Sequence, residues 1–122
     1  MNLRFAPEQL RLRISEQEFA NLMAHGLLEH SIVLGDNSRL NYSLRTATTA
    51  TGHEGGMLQL ASRIEDGVMR CELTLFANAI DQLKSGSAGK DGIRESIAFA
   101  NGELLTVGVE IDLHSKKGAD PS

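Results

Sequence analysis

Apolar and polar positions alternate cleanly near the start of the chain and then stop at a serine. Leu10, Leu12 and Ile14 alternate with Arg11 and Arg13, and Ser15 is followed three residues later by Glu18. That spacing is a capping box, in which the serine side chain accepts from an orphan helix N–H and the glutamate reaches back to the serine's own N–H. It predicts a strand ending near Ile14 and a helix from about Glu16 to His25, with Phe19, Leu22 and Met23 on one face. Gly26 supplies the stop, and His25 beside it suits the helix's negative end. Upstream, Leu3 and Phe5 flank Arg4 before Pro7 interrupts, which predicts a short strand and a turn.

The same reading continues along the chain. Leu28 to Leu34 is strand-like and ends in the turn cluster Gly35-Asp36-Asn37-Ser38. Leu40, Tyr42 and Leu44 then alternate with Asn41, Ser43 and Arg45, predicting a half-buried strand, while Thr46 to Gly56 lacks a sustained pattern and reads as a loop. Asp66-Gly67 suits the positive backbone angles of a two-residue hairpin turn. Folding there sets Leu58 opposite Leu75, Leu60 opposite Leu73, Ser62 opposite Cys71 and Ile64 opposite Met69, so one face is apolar. Ala77 to Lys84 reads as a short helix with Ile80 and Leu83 on one face, followed by the Gly/Ser-rich connector SGSAGKDG. A last hairpin surrounds Asn101-Gly102, and a three-residue loop that pairs Phe99 with Leu105, Ile97 with Val107 and Ile93 with Ile111 keeps apolar residues together. Glu95 is the exception on that face.

These elements predict an α+β fold of about seven to eight mostly antiparallel strands and two short helices, forming a strongly curved sheet or a partly open barrel plugged by the first helix. No internal repeat is visible in the sequence, so residues 1–115 read as a single α+β domain and residues 116–122 as a flexible tail.

Composition narrows the function classes. With 122 residues, 41% hydrophobic and 23% charged, the chain can bury a core without a disulfide or a structural metal, and no motif calls for a cofactor. Aromatics are 4% with no Trp, which argues against a base-stacking platform. The net charge of -4 opposes attraction to nucleic acid or an anionic membrane. A lone cysteine, Cys71, suits a reducing compartment, and the N-terminal stretch resembles neither a signal peptide nor a membrane span, so the expectation is a cytoplasmic protein.

Two sets of residues could carry chemistry. In VEIDLH, Glu110, Asp112 and His114 share one strand face at two-residue spacing, so they could ligate a divalent metal or act as acid and base. Successive same-face residues lie roughly 7 Å apart, however, so a further ligand such as His53 would have to converge from elsewhere. The plainer reading is a solvated polar face with cross-strand partners. Arg11 and Arg13, joined by Arg4 or Arg45, could grip a phosphate or carboxylate through their guanidinium forks. If the terminal strands are neighbours, Arg11 and Arg13 would instead form a structural ladder with Glu110 and Asp112.

Other motifs carry less. GSAGKD has two residues between Gly86 and Gly89 where a phosphate-binding loop needs about four, and HEGGM has Met57 where a zinc protease has its second histidine. His25 and His30 lack the Cys partners of a zinc site. Cys71 falls on the apolar hairpin face, where burial would leave it inert.

The segments LRLRISEQEF, GLLEHSIVLG, LNYSL and VEIDL together resemble a family of small bacterial proteins classed as a domain of unknown function. The resemblance implies the same order of elements and a bacterial cytoplasmic setting, but no catalytic residues. Members tend to carry Lys and Phe where Ile111 and Leu113 stand, followed by a Cys where this chain has His114 and Ser115. The leading functional expectation is a non-enzymatic binding or protein-interaction module, self-associating through a sheet edge or the first helix. The alternatives are a small-anion-binding domain using Arg11 and Arg13, and a metal-dependent enzyme using Glu110, Asp112 and His114.

Overall fold

The computed structural model describes residues 1–86 and 92–112, apart from the His53 side chain. The helix α1 (Glu16–His25) begins at the capping box read from the sequence: Ser15 Oγ accepts from Glu18 N at 3.0 Å, and Glu18 Oε1 accepts from Ser15 N at 2.9 Å. Gly26 closes it in the left-handed conformation at φ 78°. The second helix, α2 (Ala77–Ser85), starts after Phe76, which provides no side-chain cap, and ends at Gly86 with φ 75°.

Eight strands surround these helices: β1 (Asn2–Ala6), β2 (Gln9–Ser15), β3 (Leu27–Gly35), β4 (Ser38–Thr46), β5 (Leu58–Glu65), β6 (Val68–Leu75), β7 (Ile93–Ala98) and β8 (Leu104–Asp112). They do not form the single curved sheet or partly open barrel that the alternation suggested. They form two separate, unclosed mixed sheets of four strands, ordered β1-β2-β8-β7 and β3-β4-β6-β5. The reason lies in the helices. Each carries the chain from one sheet into the other, so consecutive hairpins part company, and the inner strands pair in parallel, β2 with β8 and β4 with β6. Alternation reveals which face of a strand is buried, but it does not say which hairpin lies alongside.

The connectivity is duplicated. Relabelling β1-β2-α1-β3-β4 as β5-β6-α2-β7-β8 exchanges the two sheets strand for strand. The buried positions repeat as well: Leu10, Leu12 and Ile14 on β2 answer to Cys71, Leu73 and Leu75 on β6, and Leu22 of α1 answers to Leu83 of α2. Both sheets and both helices line one apolar core, in which Leu12, Ile14, Leu22, Leu44, Leu73, Leu75, Val107 and Val109 are essentially inaccessible. Burying each such side chain contributes roughly 1.5–3 kcal/mol relative to exposure.

The β5–β6 hairpin has the register read from Asp66-Gly67, with Leu58 facing Leu75 and Ile64 facing Met69. The final hairpin is shifted. Its three-residue loop is Ala100 to Gly102, closed by Phe99 N donating to Glu103 O at 2.9 Å, so Ile93 faces Val109 and Ile97 faces Leu105. The shift from the expected register is an even number of residues, and the faces therefore stay correct. The C-terminal tail and most of the Gly/Ser connector lie outside the described residues.

Candidate functional site

Parallel pairing of β2 with β8 brings the arginine ladder to the acidic one. Arg11 Nη2 lies 3.0 Å from Glu110 Oε1, and Arg13 Nη2 lies 3.2 Å from Asp112 Oδ1. Each arginine reaches diagonally to the carboxylate beyond its direct neighbour, since Arg11 is level with Gly108 and Arg13 with Glu110. These partly buried pairs give the ladder a structural account, and the two guanidinium groups already have anionic partners. The equivalent position in the other sheet holds the same pair with its charges exchanged: Glu72 on β6 meets Arg45 on β4 at 3.3 Å. It is more exposed, so it contributes less.

The metal reading loses its convergence. Glu110 and Asp112 face arginines, and among the described residues no group of three or more His, Cys, Asp and Glu could hold a metal ion. His114 and the side chain of His53 lie outside the described part. His25 is exposed, while His30 faces Glu18 at 3.7 Å and stacks on Tyr42 with ring centroids 5.8 Å apart.

Glu18 is the hub of that cluster, because it caps α1 and also receives the terminal ammonium of Met1. Burial pushes its carboxyl up, but hydrogen bonds from that ammonium and from Ser15 N, with the charges of the ammonium and His30, hold it below the ordinary carboxylate value. Burial, aided by the charge of Glu18, raises the Tyr42 phenol, whose hydroxyl donates to Met1 O at 3.2 Å. Burial also raises the Cys71 thiol, consistent with an unreactive cysteine.

Glu95 has a role that the sequence did not disclose. From the edge of one sheet its carboxylate accepts from Met57 N at 3.0 Å and Leu58 N at 3.1 Å, at the start of β5 in the other sheet. Its signal was being the lone carboxylate on an otherwise apolar strand face.

The most open feature is the edge strand β3, bonded to β4 on one side only. Nearly all its residues are exposed, and its end presents Ile32, Val33 and Leu34 at 39%, 64% and 62% exposure. Ile32 begins an apolar row that runs straight across the sheet through Leu40, Met69 and Ile64. The outer face of this sheet carries a concavity of about 340 Å³ reaching from Glu29 across Asn41 and Ser43 to Arg63 and Arg70.

The chain belongs to DUF7009, a family of unknown function. The match covers residues 1–120. It agrees with the expected resemblance to a family of unknown function spanning most of the chain, and it assigns no activity. No curated protein matches the chain. No solved structure matches it either. Among the described residues, no helix is long and apolar enough to cross a membrane.

Proposed function

We propose that this DUF7009 chain is a non-enzymatic interaction module of the bacterial cytoplasm that self-associates through the open edge of β3. The observation that carries this reading is Ile32-Val33-Leu34, three consecutive apolar residues exposed on an edge strand with no Lys or Pro within it to blunt pairing. Ile32, level with buried Leu40, projects to the core side and Val33 to the outer side, so a strand laid alongside would cover both faces, with the pairing ending at the irregularity between Val33 and Gly35. The occupant is a second copy of the chain. Two identical edge strands pairing antiparallel are related by a two-fold axis, which is the self-complementary geometry of the commonest oligomers. Such pairing would join two four-stranded sheets into one continuous sheet of double width.

Sedimentation velocity over a micromolar concentration series tests the reading. The expected result is a reversible dimer that Val33→Lys converts to monomer while the far-ultraviolet circular dichroism is unchanged. A monomer throughout the series, or a dimer indifferent to Val33→Lys and Leu34→Lys, contradicts it.

A further inference from the structure

We infer that the outer face of the β3-β4-β6-β5 sheet holds a binding site for a small phosphate monoester, with Arg63 and Arg70 gripping the phosphoryl group. Arg63 on β5 and Arg70 on β6 stand directly opposite one another. Opposed like charges on neighbouring strands repel, and their Cβ atoms lie only about 4.5–5.5 Å apart. Among the described strands Arg4 also stands opposite Arg11, but that pair is relieved because Arg11 is bound to Glu110. No carboxylate among the described residues lies within ion-pair distance of Arg63 or Arg70. An external anion would supply the missing countercharge.

The surroundings favour a phosphoryl group. The two arginines line a concavity of about 340 Å³, which is far larger than a bare phosphate and falls within the usual range for small-molecule sites. Asn41, level with Arg70, spends its side-chain oxygen on Ser31 Oγ at 2.7 Å, which leaves the amide nitrogen as the end able to donate into the concavity. Ser43 adds a hydroxyl on the same strand. Two guanidinium forks on adjacent strands can take different oxygens of one tetrahedral group, whereas a planar carboxylate is filled by a single fork. Two carboxylates also line the concavity: Glu72 on β6, whose charge is engaged by Arg45 at 3.3 Å, and Glu29 on β3, which accepts only, so the organic part of the ligand should carry hydroxyl or amino donors. The site lies chiefly on β5 and β6 and does not depend on pairing at β3.

Isothermal titration calorimetry with inorganic phosphate, glycerol 3-phosphate and acetate, at fixed ionic strength, tests the assignment. The variants are Arg63→Gln, Arg70→Gln and the charge-matched control Arg94→Gln, which alters an exposed arginine on the other sheet. The expected result is saturable binding, tighter for glycerol 3-phosphate than for phosphate and weakest for acetate. Arg63→Gln or Arg70→Gln should each weaken it by about ten-fold or more, with Arg94→Gln unchanged. Absence of saturable binding, equal weakening by Arg94→Gln, or acetate binding as tightly as the phosphates overturns it. Thermal melts of each variant confirm that the fold is retained.

Discussion

Replacing Glu95 by alanine should loosen the join between the two sheets. The carboxylate accepts two backbone N–H groups, from Met57 at 3.0 Å and Leu58 at 3.1 Å, and it is half-buried. A hydrogen bond to a charged group is worth roughly 1.5–3 kcal/mol, and removing the acceptor leaves partly buried donors without a protein partner. Water can reach part of the site, so the lower end applies to each bond, and the loss comes to about 3 kcal/mol. For a chain of this length that corresponds to a fall of roughly 10 °C in Tm. Glu95→Gln should lose nearly as much, because one of its terminal atoms becomes a donor facing an N–H. Urea denaturation at neutral pH gives the free energy, and hydrogen exchange at Met57 and Leu58 localises it. A loss below about 0.5 kcal/mol, the range of ordinary surface changes, with exchange at those amides unaltered, would refute the reasoning.

Three further outcomes are expected. Gly67 and Gly55 have nearly the same positive φ, 78° and 79°, but a Cβ on Gly67 would collide with the Asn37 carbonyl oxygen whereas one on Gly55 meets open space. Gly67→Ala should therefore cost clearly more than the roughly 1 kcal/mol of left-handed strain expected for Gly55→Ala, as read by denaturant midpoints. Double-mutant cycles should give about 1 kcal/mol of coupling between Arg11 and Glu110, and roughly half that or less between the more exposed Arg45 and Glu72. Glu18 titrates below its ordinary value of 4.5 when folded, so its contribution is complete above that pH and is lost as pH falls through the folded value. Glu18→Gln should accordingly destabilise the protein at neutral pH, and its deficit should shrink in acid unfolding curves below pH 4.5.

Local order was legible in the sequence because local chemistry determines it. Ser15 with Glu18 and Gly26 set both ends of α1, and Asp66-Gly67 set the register of β5 against β6. The sheet architecture was not legible, because Leu10-Leu12-Ile14 can pack in a barrel wall or a parallel inner pair with the same alternation. The duplication was hidden for a related reason. Packing requires only that Leu10 and Cys71, or Ser15 and Phe76, suit equivalent positions, and the outward pair even tolerates exchanged charges between Arg11–Glu110 and Glu72–Arg45. Of the candidate site, the contact of Arg11 and Arg13 with Glu110 and Asp112 could be stated as a condition on neighbouring strands. Arg63 and Arg70 were visible only as polar-face residues, because their lack of a counterion depends on every strand around them.

Hydrogen exchange along β3, followed by NMR as a function of protein concentration, tests self-association at this edge most directly. Amides of Ile32, Val33 and Leu34 that point away from β4 should gain protection as concentration rises, and Val33→Lys should abolish the gain. Exchange at those open-edge amides that stays fast and independent of concentration would contradict the account.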